Sequence, residues 1–549
     1  MQKFLLFSLL LLLPSLLFSQ VAPDYYRIFF TDKNNSEYSI EEPQAFLSTK
    51  AIQRRLKQNI PLLENDLPVN ASYLDSLKKL GLTIKNTSKW LNTALVYTTD
   101  AELMDTISQL DFIKSKQKIG RNPKYRNQKK SNCPAKEHHL KGDSIFDYGF
   151  GTTQISMLNG HTLHRNGNMG QNMIIAILDA GFYNVDILPA FDSLWNNNQI
   201  LGTYDFVDGD TMVFDASSHG MKVLSVMGAN IPGELIGTAP KASYWLLRSE
   251  QTASEYSIEE DHWVAAAEFA DSVGADIINT SLGYFEFDDS VLNYTYEDMD
   301  GNSTFITKAA DMAASKGMLV VVSAGNQGDD PWKYITAPAD GDSVLTVGSV
   351  NQYAEYSYFS SIGPTFDGRI KPNIAAMGYQ TAIQGIDGAI TVSNGTSFSA
   401  PLISGLAACL WQHFPNLNNM EILRKIEESA HKYSSPDYFV GYGIPDFEKA
   451  ANLTQTNVTA LSENTLLNIF PNPFHDNITI EINIPKDIQK IQIELLNITG
   501  QKMKQLNIYG PTQDKSTLIL NNLNELPSGI YLVKIKMGNQ TLSKKIIKL

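Results

Sequence analysis

Four short stretches of this 549-residue chain place reactive side chains where a fold would present them. "IIAILDAGF" sets Asp179 at the end of an apolar run, and "SSHGMKVLSVMG" sets His219 at the start of a helical pattern. "LVVVSAGNQG" sets Asn326 in a glycine-flanked turn, and "SNGTSFSAPLISG" sets Ser397 among three other hydroxyls before a long apolar run. Singly, each has an ordinary reading: Asp179 as a cap, His219 as a surface residue, Asn326 as a turn former, one hydroxyl of Ser393–Ser399 as a helix N-cap. Pro401 is then expected in the first helical turn, where its missing N–H costs nothing. Jointly they meet a stricter requirement. Acyl transfer by a hydroxyl needs a base to take its proton, a carboxylate to fix the tautomer of that base, and donors aimed at the oxyanion. A helix start at Ser397 adds free backbone N–H groups that favour negative charge.

The elements that must hold these groups are legible around them. "NMIIAIL", "ASYWLLR", "GADIIN", "GMLVVVS" and "DSVLTVGSV" are short, continuously apolar runs, with amphipathic segments such as "HWVAAAEFADSVGA" between them. This pattern predicts an α/β fold, a parallel sheet covered by helices on both faces. In such sheets, sites form beyond the carboxyl ends of the strands, where Asp179 and Asn326 fall. "GTTQISMLNGHTLHRNG" reads as one helix ended by Gly167.

The order Asp, His, Ser is that of subtilisin. Residues 143–453 resemble the subtilisin-like (subtilase, S8) serine peptidases. The resemblance rests on "DAGF", "HGMKV", "SAGNQG" and "NGTSFSAPLISG", and further on "YGFGTTQISMLNGHTLHRNG", "IINTSLG" and "FSSIGP". Met221, Phe398 and Ser399 depart from the commoner Thr, Met and Ala, and none of these removes a catalytic group. The resemblance implies an endopeptidase in which Ser397 is the nucleophile, His219 the base, Asp179 its orienting carboxylate, and Asn326 with the Ser397 N–H the oxyanion hole. It also implies that the backbone of Ser281, Leu282 and Gly283 lines one wall of the primary specificity pocket and pairs with an extended substrate. The facing strand would lie near Leu246–Glu250, where Glu250 and Glu255, read as surface carboxylates, are candidates to attract a basic side chain. No cofactor is required for the chemistry and no metal site is predicted. Structural calcium is allowed by the resemblance but not predicted, because the acidic loops "YEDMDGNSTF" and "FEFDDS" lack EF-hand spacing. His138 and His139 have no Cys or acidic neighbours to complete a metal site.

The flanks have their own organisation. Residues 1–20 combine one Lys with an apolar stretch and read as a signal peptide, which predicts a secreted or cell-surface protein. Residues 21–118 run β-α-β-β-α-β with an insertion near "LSTKAIQRRLKQNI", a ferredoxin-like domain. It resembles the inhibitory propeptide of subtilases. Arg54 and Arg55 are expected on a solvated helix face. The basic segment 119–142 reads as a processing linker. Beyond a polar linker at 454–465, residues 466–549 alternate as short strands and predict a small β-sandwich. "IFPNPF", "LPSGIYLVKI" and "KKIIKL" resemble the C-terminal sorting domain of the type IX (Por) secretion system of Bacteroidetes. The implied partners are protein or peptide substrates, the chain's own propeptide and the type IX machinery. A net charge of -14 argues against nucleic acid. Two cysteines give no disulfide framework; Cys409 reads as buried and Cys133 as exposed. The alternative reading is a catalytically silent surface binding protein on a subtilase fold, yet no triad residue is missing.

Overall fold

The computed structural model describes residues 24–121, 146–252, 254–452 and 467–548, the last apart from 473, 484–489, 498–501, 510–514, 522, 525, 528 and 538–539. The expected signal peptide, the basic linker from 122 onward with Cys133, His138 and His139, and the linker 454–465 lie outside the described residues. The chain divides into two units, Met1–Leu453 and Thr454–Leu549. No helix among the described residues is long and apolar enough to cross a membrane.

The first unit begins with β1 (Asp24–Phe30), α1 (Thr49–Lys57), α2 (Ala71–Lys79), β2 (Thr83–Ser88), β3 (Thr93–Thr98), α3 (Ala101–Ile107) and β4 (Ile113–Arg121). The strands pair antiparallel in the order β2-β3-β1-β4, the ferredoxin-like arrangement, with α1 as the insertion. Ile28, Ala94 and Val96 of the sheet bury against Leu77 of α2 and Met104 and Ile107 of α3.

Helices α4 (Thr152–Ser156) and α5 (Gly160–Arg165) follow, where one helix was expected. Asn159 between them sits at φ 51, which a continuous helix cannot accommodate. Then come β5 (Ile174–Asp179), α6 (Asp192–Asn196), β6 (Ile200–Asp205), α7 (His219–Gly228), a short hairpin of β7 (Asn230–Ile231) and β8 (Leu235–Ile236), β9 (Ser243–Arg248), α8 (Ile258–Val273), β10 (Ile277–Thr280), α9 (Phe305–Ser315), β11 (Leu319–Ser323), β12 (Leu345–Val350), β13 (Ile374–Met377), β14 (Thr381–Gln384), β15 (Ile390–Ser393), α10 (Thr396–His413), α11 (Asn419–Ser429) and α12 (Phe447–Asn452). Seven of these strands form one parallel sheet, β13-β12-β11-β10-β5-β9-β6. Strands β6 and β13 extend the five read from the sequence. Alternate residues serve opposite faces: Ile175, Ile177, Leu319 and Val321 pack with α7 and α10, whereas Ala176, Leu178, Val320 and Val322 pack with α8 and α9. Chain order reverses at β5, flanked by β9 on one side and β10 on the other. That switch point opens a crevice beyond their carboxyl ends.

Helix α8 carries Asp261, Glu268 and Asp271, seven and three residues apart, on one stripe beneath the ferredoxin-like domain. Arg27 of β1 clamps Asp261 with bonds of 2.9 and 2.6 Å. Glu268 accepts from the Ser88 hydroxyl at 2.6 Å and from the Lys89 and Trp90 N–H groups at 2.8 and 2.9 Å. The expectation for α1 is corrected here: Arg54 and Arg55 are 5% and 2% exposed, not solvated. Both reach Asp271, with Arg55 at 2.9 Å, and Arg55 also meets Asp66 at 3.1 Å. Buried guanidinium groups require such carboxylate partners, and the partner lies more than two hundred residues away in sequence.

The second unit is a sandwich of two antiparallel sheets. β16 (Leu467–Phe470), β17 (Ile478–Asn483) and β20 (Lys515–Leu520) form one; β18 (Lys490–Asn497), β19 (Lys502–Tyr509), β21 (Gly529–Met537) and β22 (Gln540–Lys548) form the other. Ile469, Ile478 and Ile480 from the first bury against Ile493, Val533 and Ile535 from the second.

Candidate active site

Asp179 ends β5 and is fully buried. Its Oδ1 accepts from the Ala180 N–H at 2.7 Å and lies 2.7 Å from His219 Nδ1. Beside a carboxylate Nδ1 is the protonated nitrogen, which leaves the Nε2 lone pair free. His219 is the first residue of α7, and its close approach to β5 depends on the next residue. A Cβ on Gly220 would lie 2.6 Å from the Gly181 carbonyl oxygen and 2.9 Å from Asp179 Cβ. Burial alone would lower the imidazole pKa, but the charge and hydrogen bond of Asp179 outweigh it and hold it above the ordinary value. About a third of the His219 side chain stays exposed, 32%, so the ring faces the crevice.

Ser397 is the second residue of α10, whose first sixteen residues are all buried, so the helix start is fixed by the core. Pro401 lies deeper in the helix than the expected first turn, and it removes the N–H that would bond the Ser397 carbonyl. The Ser281 hydroxyl supplies the missing donor at 3.0 Å. In return the Ser397 hydroxyl donates to the Ser281 carbonyl at 3.2 Å. Phe398 brings its ring 6.0 Å from that of His219.

Asn326 is exposed in the turn after β11. Its Oδ1 accepts from the Thr396 N–H at 2.9 Å and the Thr396 hydroxyl at 3.0 Å, which leaves Nδ2 directed outward as a donor. Gly395 sits at φ 148, and a Cβ there would be 3.7 Å from both Asn326 Nδ2 and Ser397 N. The missing side chain thus leaves space flanked by two N–H donors. Gln327 braces this turn, accepting the Asn326 N–H at 2.7 Å. Ser281 is buried, Leu282 half-buried and Gly283 exposed, so this stretch runs from beneath Ser397 out along the crevice.

Asp179, His219, Asn326 and Ser397 thus come together, with Ser281 in contact with Ser397. The Ser281 hydroxyl, Thr396 and Gln327 are parts that motif reading did not single out for these contacts. A Pro four residues after a Ser in a helical run was the signal available for the first. Glu250 differs from its expected surface setting: it is 8% exposed, and Tyr284 donates its hydroxyl to Glu250 Oε1. Of the acidic loops considered for calcium, "YEDMDGNSTF" holds its own turn, Asp300 Oδ1 accepting from Asn302 N–H and Asp298 from Thr295 N–H, whereas in "FEFDDS" Asp288 accepts the Glu255 N–H at 3.2 Å. Cys409 is buried, its thiol directed at the Thr238 carbonyl.

The Peptidase S8 family model, described as the subtilase family, matches residues 170–443. A Peptidase S8 propeptide domain of Bacteroidota matches residues 25–135, and a secretion system C-terminal sorting domain matches residues 468–549. Subtilisin NAT from Bacillus subtilis subsp. natto is 29% identical over 303 residues, spanning 54% of this chain and 70% of that protein. Thermophilic serine proteinase from Bacillus sp. (strain AK1) is 29% identical over 280 residues, spanning 50% and 60%. The crystal structure of MycP1 from Mycobacterium smegmatis covers 57% of this chain and 87% of its own at 24% identity and a TM-score of 0.44. The chain belongs to the subtilase family of serine peptidases, a secreted zymogen with a propeptide domain before the peptidase domain and a secretion sorting domain after it.

Proposed function

We propose that the protein is an endopeptidase that hydrolyses peptide bonds through Asp179, His219 and Ser397. Ser397 Oγ turns from the Ser281 carbonyl toward His219 Nε2 and attacks the scissile carbonyl as the imidazole takes its proton. Asn326 Nδ2 and the Ser397 N–H hold the oxyanion, flanking the space that Gly395 leaves open. His219 then protonates the leaving amine, an acyl-enzyme remains on Ser397, and water activated by the same imidazole releases it. Asp179 fixes the tautomer throughout. The observation that carries this reading is the 2.7 Å contact between His219 Nδ1 and Asp179 Oδ1 at the switch point of the sheet.

An extended substrate adds a strand along Ser281, Leu282 and Gly283, facing the chain that leaves β9. Residues 21–118 act as the inhibitory propeptide, docked on the acidic stripe of α8, and 119–142 is the maturation region. Residues 1–20 direct export as a signal peptide, and residues 466–549 carry the chain through a type IX-like route after the peptidase domain 143–453. The test is labelling of the processed protein with a fluorophosphonate, the labelled peptide being located by mass spectrometry. Stoichiometric modification at Ser397 is expected; a label carried on another residue removes Ser397 from the mechanism.

A further inference from the structure

Next to the crevice, three glutamates outside the proposed machinery converge. Glu250 follows β9, Glu255 lies in the connection to α8, and Glu259 is in the first turn of α8. One carboxylate oxygen of each lies within 4.8 Å of those of the other two. Glu259 is 1% exposed; its Oε1 accepts the Gln251 N–H at 2.9 Å, while Oε2 is buried with no partner among the described residues. The arginines on these elements or packed on them are engaged elsewhere, Arg248 with Asp205 and Asp208 at 2.6 and 2.7 Å, and Arg27 with Asp261.

Glu250 is 8% exposed and Glu255 half-buried, so the three carboxylates crowd a pocket with little water. Gathering carboxylates in a dry site is unfavourable unless positive charge joins them. We propose that Glu250, Glu255 and Glu259 bind a divalent cation of the calcium type. The donors are all oxygen, which selects a hard cation over the transition metals that favour nitrogen or sulfur. Calcium accepts irregular all-oxygen sites at about 2.3–2.6 Å, whereas magnesium demands near-ideal octahedral geometry and keeps several waters, so buried glutamates converging from a strand end, a loop and a helix start suit calcium. The unpartnered Glu259 Oε2 gains a ligand, and Glu255 opens onto a cavity of about 640 Å³ that Gly283 and Gln327 also line. A cation there ties the end of β9 to the start of α8 and stiffens that side of the crevice.

The experiment uses the full chain carrying Ser397→Ala to prevent self-cleavage, stripped with EGTA and then titrated with calcium chloride. Bound metal is counted by mass spectrometry and thermal melting is followed in parallel. One bound calcium and a calcium-dependent rise in Tm are expected, both lost on adding Glu259→Gln, with affinity down at least about tenfold. Glu255→Gln, at the half-buried rim, serves as the second variant should Glu259→Gln not fold. Equal calcium binding by parent and variants overturns the proposal. So does a processed wild-type enzyme that binds no calcium here but loses a preference for Lys or Arg in peptide substrates on Glu255→Gln, since the occupant is then a substrate side chain.

Discussion

Ser281 and Ser397 exchange hydrogen bonds, the hydroxyl of each ending on the carbonyl of the other at 3.0 and 3.2 Å. One of these bonds repairs the helix where Pro401 lacks an N–H; the other parks the nucleophile. Ser281→Ala leaves the buried Ser397 carbonyl without a donor and is expected to destabilise the protein by about 1–3 kcal/mol. Adding Pro401→Ala restores an N–H at the right position and recovers part of that loss. Melting of the single and double variants checks this, and a double variant no more stable than Ser281→Ala contradicts it.

Ser397→Ala removes the nucleophile. Turnover of casein is expected to fall by about a million-fold, the scale known from subtilisin itself, and the chain should accumulate unprocessed. Normal trimming of a purified Ser397→Ala protein, read on a gel, assigns maturation to another protease.

Asn326→Ala deletes one of the two donors beside Gly395. The expected cost is about a hundred- to a thousand-fold in kcat with little change in KM, again a magnitude borrowed from subtilisin. A rise in KM with kcat unchanged would place Asn326 in substrate binding instead.

The pH profile follows from His219. The base must be neutral, and Asp179 holds its pKa above the ordinary value, so kcat/KM should decline below a midpoint higher than about 6.5 as pH falls. Asp179→Asn removes the charge that raises it and leaves burial, which lowers it. The acid limb should therefore move to lower pH while the rate drops by about ten-thousand-fold. An unmoved limb in Asp179→Asn means that another group titrates.

Arg55→Ala strips a partner from both Asp66 and Asp271, each fully buried, and is expected to weaken the propeptide contact by about 3–5 kcal/mol. A shorter latent phase before activity appears, timed from the purified zymogen, is the readout. An unchanged latency shows that these ion pairs do not hold the enzyme silent.

The gathering of Asp179, His219, Asn326 and Ser397 was legible because each stands in a short local signature at a strand end or helix start, and parallel sheets converge such ends. The ferredoxin-like order and the terminal sandwich were legible from alternation for the same reason. Arg54 and Arg55 were misread because a local pattern scores them against their own helix, while their carboxylate lies on α8, distant in sequence. Glu250 looks like a surface residue until Tyr284 folds over it. Pro401 fits a first turn by preference, and only the tertiary donor from Ser281 permits it further in. The break at Asn159 depends on a left-handed backbone position that apolar periodicity does not register.

The stripe of Asp261, Glu268 and Asp271 has one more consequence. Its cations, Arg27, Arg54, Arg55 and Lys89, all belong to the propeptide domain. The maturation proposed above would uncover an acidic epitope that is masked on the newly made chain, and an antibody raised against that helix face is then expected to stain finished enzyme and pass over its precursor.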